Sequence, residues 1–261
     1  MRYRREWSGG VVAALAAVIA IGGAPGRADA AAFKIQSLAA GLKFENLSRT
    51  AVWSGDTESA KIRANLVGAQ ADFGLGKGAT VSLCAGLSLT DFKSLTFSAL
   101  PVTLELGSPT LKGFFLGAEA IVPVRRFSDF EISGTGRIVY SFAMSKTWAL
   151  EDFAVEGQAA GNSSWLEVAA GPRLSYLVFG RIVPFVEVWA RWLHAGFDMT
   201  ETLGDLTGSQ TRRVRGDFSF SVALGADAQV TDRIDVRAKV GFLPYAGGVD
   251  STASIGILYK F

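Results

Sequence analysis

From Ser251 to Phe261 the chain alternates apolar and polar positions. Ala253, Ile255, Ile257, Tyr259 and Phe261 fall on one side, and Ser254, Gly256, Leu258 and Lys260 on the other. A period of two puts these sets on opposite faces of a β-strand, and about ten residues tilted near 45° cross a bilayer. The pattern recurs upstream. Val236, Ala238, Val240 and Phe242 oppose Asp235, Arg237 and Lys239, and the even positions from Phe218 to Ala228 oppose Ser219, Ser221, Gly225, Asp227 and Gln229. A charge at the bilayer midplane costs roughly 2–4 kcal/mol, so the apolar rows must face lipid and the charged rows a lumen. The fold class predicted is all-β, a closed up-and-down antiparallel transmembrane barrel.

The same parity holds further back. Val186, Val188, Ala190 and Trp192 oppose Glu187 and Arg191; Leu166, Val168, Ala170, Leu174 and Tyr176 oppose Glu167 and Arg173. Ile132, Ile138, Tyr140 and Phe142 oppose Glu131 and Arg137, and the even positions from Phe114 to Val122 oppose Glu119. Val81 to Leu89 and Leu38 to Phe44 repeat the rule, with Cys84 on the lumen side of the first and Lys43 on that of the second. In the next strand Ile62, Ala64 and Leu66 are read as outward and Lys61, Arg63 and Asn65 as inward, with a phase slip near Gly68 assigned to a bulge. This makes ten strands, within a range of 8–12 because Leu95 to Leu106 could add a hairpin around Pro101. Short connections (74–79, 123–130, 178–183, 230–233) alternate with long ones (47–59, 90–111, 143–163, 194–216, 243–250). Pro172, which has no N–H for a ladder, suggests another bulge.

The amino terminus adds a compartment. Arg2, Arg4 and Arg5 precede the apolar run Val11 to Ile21, and Ala28-Asp29-Ala30 offers a small-x-small cleavage site. Residues 1–30 are therefore expected to be a signal peptide and 31–261 one barrel domain. That segment holds Arg2, Arg4, Arg5 and Arg27 against Glu6 and Asp29, so its removal takes two positive charges from the formal +2 and leaves the remainder near neutral. Such a balance carries no nucleic-acid footprint. Cys84 is the only cysteine, so no disulfide can form within the chain. A soluble β-sandwich would bury these apolar rows against each other, but does not explain charge on nearly every opposite face.

Aromatic residues gather at the expected strand ends: Phe44, Tyr140, Phe142, Trp165, Trp192, Phe218 and Phe242 toward one rim, and Phe73, Tyr176, Tyr259 and Phe261 toward the other. With the signal segment and the ending Ile255 to Phe261, the chain resembles the small Gram-negative outer-membrane β-barrels of the OmpA/OmpX and opacity-protein type. The resemblance implies an outer-membrane location and recognition of the terminal strand, through Ile257, Tyr259 and Phe261, by the barrel-assembly machinery. Periplasmic chaperones would escort the chain before that, and a monomer is expected.

The lumen carries the remaining chemistry. Glu119, Arg137, Arg173, Glu187, Arg191, Asp227, Asp235, Arg237 and Lys239 are the candidate charge network, joined by Lys43, Arg63, Lys260, Glu45, Glu131 and Glu167. Opposite charges interleaved in a narrow barrel should pair, which predicts a packed polar core and a structural or surface-interaction role. A narrow porin-like diffusion pore for small solutes is the alternative; a selective one would more naturally show rings of one sign. An outer-membrane hydrolase is a lesser alternative, since the single histidine, His194, has no adjacent carboxylate, with Asp198 the nearest acid along the chain. No catalytic residue, cofactor or metal ligand set is expected. Arg212, Arg213 and Arg215 form a basic run near one rim, suited to lipopolysaccharide phosphates.

Overall fold

The computed structural model describes residues 35–53, 59–93, 95–97, 104–106, 110–150, 157–245 and 248–261; the expected signal segment lies outside them. Its strands are β1 (Ser37–Trp53), β2 (Ser59–Gly74), β3 (Thr80–Lys93), β4 (Leu95–Phe97), β5 (Leu104–Leu106), β6 (Thr110–Phe127) and β7 (Phe130–Ala143). They continue with β8 (Lys146–Leu150), β9 (Gly157–Tyr176), β10 (Ile182–Leu203), β11 (Leu206–Gln229), β12 (Ile234–Tyr245) and β13 (Gly248–Lys260). Antiparallel neighbours run around a closed ring, sealed where β13 pairs with β1 from Ala39↔Lys260 to Leu47↔Thr252. β8 pairs with β9 beyond the end of β7 and prolongs that stave, so the wall has ten staves. Segment 95–106 does form a hairpin, β4–β5, but it pairs only with itself and adds nothing to the wall.

The parity of the wall matches the sequence over most of its length. Leu42, Leu87, Leu116, Leu224 and Ile257 all point outward and are more than half exposed, whereas Glu167 and Glu187 inside are 0% exposed. A continuous exposed apolar band of this kind has only one stable environment, hydrocarbon. From Phe130 to Phe142 one stave covers about 40 Å of strand, which at the usual tilt spans roughly 30 Å of membrane. Outward aromatics mark both edges: Phe44, Phe114, Phe142, Trp192, Phe218 and Phe242 at the far rim, and Phe127, Phe130, Tyr176 and Phe179 at the rim that holds Ser37 and Phe261. Trp165 departs from its expected place at this outer girdle. It is 2% exposed, points inward and donates its indole N–H to Thr90.

Beyond the far edge of the band the staves continue, and several expectations change there. β10 and β11 are 22 and 24 residues long, about twice the length a crossing needs. Segment 194–216, expected as a long loop, is the top of their hairpin, which turns through Gly204 and Asp205 with Gly204 at φ 55. A positive φ at the first central position is what a two-residue type II′ connection requires, and glycine supplies it without strain. Likewise β1 runs on to Trp53 and β9 begins at Gly157, so loops 47–59 and 143–163 shorten. In β2 the register is continuous from Ser37↔Gly74 to Val52↔Ser59, with no bulge at Gly68. Ile62, Ala64 and Leu66 therefore point inward and are buried, while Arg63 and Asn65 face out. These reversals share one cause. Above the hydrocarbon the outer face meets water and headgroups, so the apolar row moves inside.

Register shifts occur at Pro123/Arg125 and Arg191/Leu193. At Pro172 the ladder to β10 is interrupted between Arg173 and Ala170, yet the register on both sides is unchanged, so no bulge forms.

The far section is also narrower. β12 and β13 are only 12 and 13 residues long and turn near the edge of the band. Above them β1 leans across and pairs directly with β11 at Val52↔Arg215 and Trp53↔Val214. Asp250 fills the notch below this crossing: its carboxylate accepts from the Thr50 backbone N–H and hydroxyl and lies 3.4 Å from Lys61 Nζ. With two staves gone, the ring is close to the eight-stranded size that side chains fill completely. They do fill it here. Leu47, Ile62, Leu66, Phe92, Leu111, Phe115, Val139, Trp165, Leu193, Phe197 and Met199 form one buried cluster, with Phe92 and Phe197 edge to face at 5.7 Å. Replacing Phe197 by Ala should cost about 3–5 kcal/mol in urea unfolding of the refolded protein, whereas Arg63→Ala on the outer face should stay within about 0.5 kcal/mol.

Candidate functional site

Within the band the lumen is occupied by charges that alternate in sign from wall to wall. Arg137 of β7 binds Glu45 of β1, whose other oxygen lies 3.3 Å from Lys43. Lys43 also approaches Glu119 of β6 at 3.8 Å, and Glu119 meets Lys239 of β12 at 3.4 Å. Lys239 continues to Glu187 of β10 at 3.2 Å, and Glu187 to Arg173 of β9 at 3.5 Å. Arg173 holds Asp227 of β11 at 2.5 Å; Asp227 holds Arg237 at 2.9 Å, and Arg237 reaches Asp72 of β2 at 3.4 Å. β1 and β6 are not neighbours in the wall, nor are β12 and β10, so these bridges cross the axis. Every cation in this chain lies between anions or ends on one.

Neutral groups complete the coordination. Gln70 donates to Asp72 at 2.7 Å, Ser175 accepts from Arg173 Nε at 3.1 Å, and the Trp189 indole donates to Glu187 at 2.9 Å. The Arg173 guanidinium lies 3.6 Å from the centre of the Phe185 ring. A second, higher tier consists of Glu167 between Arg191 at 3.1 Å and Arg49 at 3.8 Å, with Ser221 and Ser219 accepting from the two guanidinium groups at 2.7 and 2.6 Å. Charges out of water are tolerable only when paired and hydrogen-bonded; every charge named here is paired, and most of their polar atoms are hydrogen-bonded, Arg137 Nε, Arg49 Nη1 and Glu167 Oε2 being the exceptions.

Of the expected network, Glu119, Arg137, Arg173, Glu187, Arg191, Asp227, Arg237 and Lys239 all point into the lumen. Asp235 does too, but at the terminal rim, where it pairs with Lys260 at 2.8 Å and stays about one-third exposed, apart from the main chain of charges. Arg63, expected inside, is outside. Arg49 and Asp72 were not expected in the lumen: the first lies in a segment read as a loop, and the second follows the phase slip assigned to Gly68. An unbroken parity along β2 would have revealed Asp72. Cys84 faces the lumen as expected and is partly buried.

The other candidate residues stand apart from the lumen. His194 projects from the outer wall, stacked on Trp192 at 5.9 Å and 11°. Asp198 shares that face, but its carboxylate accepts from the Thr211 hydroxyl at 2.7 Å. The basic run is split by strand parity: Arg213 occupies an outward position opposite Gly196, Arg212 the inward position opposite Phe197, and Arg215 pairs with His194 in the ladder. Ile257, Tyr259 and Phe261 form an outward row, with Phe261 80% exposed and its ring edge-on to Tyr259 at 5.3 Å. Among the described residues, no group of histidine, cysteine, aspartate and glutamate is placed to hold a metal ion.

One carboxylate is left over. Glu201, on the inner face of β10 in the projecting section, is 1% exposed, and neither oxygen is hydrogen-bonded. Its cross-strand neighbours are Ala159 and Gly208, which offer nothing polar from their side chains. Desolvation holds its carboxyl above the ordinary carboxylate range.

No protein-family model matches the chain, and no curated protein matches it. Solved structures do. The outer-membrane protease OmpT of Escherichia coli aligns with a TM-score of 0.53 at 10% identity, over 88% of this chain and 98% of that one. The translocator domain of the autotransporter NalP from Neisseria meningitidis gives 0.48 at 12% identity, over 96% and 99%. Ail, the attachment invasion locus protein of Yersinia pestis, gives 0.34 at 12% identity, over 86% and 97%.

Two measurements test the electrostatics. Arg137→Met leaves buried Glu45 with Lys43 alone and should cost about 3 kcal/mol, while adding Glu45→Gln should restore part of that loss in a double-mutant cycle of unfolding free energies. For Glu201, a carboxyl whose folded pKa is raised binds its proton more tightly when folded. Its favourable linkage is complete below the unfolded pKa and is lost as pH rises through the folded value. Glu201→Gln should therefore flatten the fall in melting temperature between acidic and neutral pH. A small, closed, up-and-down wall with an apolar belt outside and paired charges within is the fold of the bacterial outer-membrane β-barrels, and this chain has it.

Proposed function

We propose that this protein is a sealed outer-membrane barrel with a structural or surface-interaction role, delivered by a cleaved signal segment and acting as a monomer. The observation that carries this reading is the double obstruction of the lumen. A web of paired charges crosses it within the membrane, and a dry apolar cluster fills the narrowed section above. An ion entering would have to break buried pairs and then pass hydrophobic packing, each at a cost of several kcal/mol. The projecting staves β9, β10 and β11 raise the far rim well above the membrane and offer a rigid platform to the exterior.

Other roles follow from the same geometry. Arg213, on the outer wall above the belt, is suited to lipopolysaccharide phosphates, with Arg215 two positions further along the same strand; Arg212, on the inner face, is not part of that contact. The outward row Ile257, Tyr259 and Phe261 is proposed as the signal read by the barrel-assembly machinery, with periplasmic chaperones acting before insertion. No hydrolytic role is proposed, because His194 projects from the outer wall and not into an enclosed site.

Planar-bilayer recording of the refolded protein decides between plug and pore. The expected result is a silent bilayer; steady openings that scale with solute size would establish the diffusion pore instead. Peptidase and esterase activity at the level of a His194→Ala control is the expected result for the hydrolase reading.

A further inference from the structure

Among the described residues the lipid-facing belt has two depressions, one over the small outward residues Ala40, Ala69, Ala71 and Ala85 and another on β7, where a charge stands at one end. On β7 the outward row runs Ile132, Gly134, Gly136, Ile138, so two successive positions lack side chains. The neighbours across the ladders are small or compact: Ala120 and Ala170 flank Gly136, and Val122 and Pro172 flank Gly134. The result is a trough of about 420 Å³ on the outer wall, inside the range of small-molecule sites.

Gly134 differs from most other glycines in the belt. Gly41, Gly68, Gly86, Gly225 and Gly241 face the lumen, and a Cβ at any of them would come within 3 Å of backbone or side-chain atoms. A Cβ at Gly134 would meet nothing within 4 Å. Packing within the chain therefore does not require glycine there, although glycine weakens a strand. What approaches Gly134 must come from outside.

The trough also has a charged lower end. Directly across the ladder from Ile132 is Arg125, displaced onto the outer face by the shift between Pro123 and Arg125. It is exposed, and no carboxylate of the described residues pairs with it. Phe127 and Phe130, stacked at 5.9 Å at the next turn, set this as the headgroup level of the periplasmic leaflet.

We infer that this trough seats one acyl chain of an anionic phospholipid from the periplasmic leaflet, with Arg125 on its phosphate. The wall is immersed in such chains, the trough is apolar along its length, and the Arg125 guanidinium at its mouth is complementary to a phosphodiester. A second copy of the chain would fit the small-residue row alone, but gives the guanidinium no partner.

The test uses the full mature chain refolded into phosphatidylcholine vesicles containing phosphatidylglycerol, extracted into mild detergent and weighed by native mass spectrometry. Wild type should retain one phosphatidylglycerol in preference to phosphatidylcholine. Gly134→Leu with Gly136→Leu should lower retention of either lipid about tenfold, and Arg125→Gln should abolish the preference while keeping the lipid. If the double leucine variant does not refold, Arg125→Gln, on the exposed surface, still reads the headgroup contact. Equal retention of the two lipids by wild type, or unchanged retention by a folded leucine variant, would overturn the inference. So would efficient disulfide dimers of Ile132→Cys in a Cys84→Ser background, which would assign the trough to a second copy.

Discussion

A wall one residue thick with hydrocarbon on one side leaves charged side chains a single place to go, and in a ring of ten staves that place is too narrow for them to remain solvated. Everything else in the lumen follows from this confinement. The charges have to be balanced across the axis, and they are: each lysine or arginine from Arg137 to Arg237 lies against carboxylates contributed by other staves. The pairs tie opposite sides of the barrel together and occupy the space a pore would need. A buried pair of this kind is weak evidence for extra stability, because hydrophobic residues could replace it at little cost. Its effect here is to link staves that are not neighbours in the wall.

The projecting section solves a different problem. Once the outer face returns to water, the ring can keep a core only by turning apolar residues inward. The shortness of β12 and β13 makes this possible by bringing β1 against β11 and reducing the circumference. Phe92, Trp165 and Phe197 then fill an interior that ten full-length staves would have left open. The chain thus carries two cores of opposite character stacked along one axis, ionic where the surroundings are apolar and apolar where the surroundings are wet.

Close backbone approach is the other recurrent device. A Cβ at Gly41 would lie 1.8 Å from the Ile257 carbonyl oxygen, and one at Gly171 the same distance from that of Val188. At these lumen positions glycine lets strongly coiled neighbouring strands pass without collision. Gly134 stands outside that rule, which is why its open surroundings point to something beyond the chain.

The period-two rows, the even strand number, the outward position of Ile257 or Leu224 and the inward position of Arg137 or Glu187 were legible in the sequence, because hydrocarbon on one side makes the meaning of each position local. Arg63, Ile62 and Trp165 were not. Their orientation depends on where the membrane ends along each stave, and no residue pattern within one strand states that height. The same holds for Arg49 and Asp72 in the ion-pair network, and for the narrowing under the β1–β11 crossing, which arises from the relative lengths of staves far apart in the chain. Partners across the axis were equally hidden, since alternation specifies a face but not the distant stave it will meet. Chain chemistry decided that a two-faced wall would form; closure of the ring decided which charges meet, where the lumen fills and at what level inside and outside exchange character.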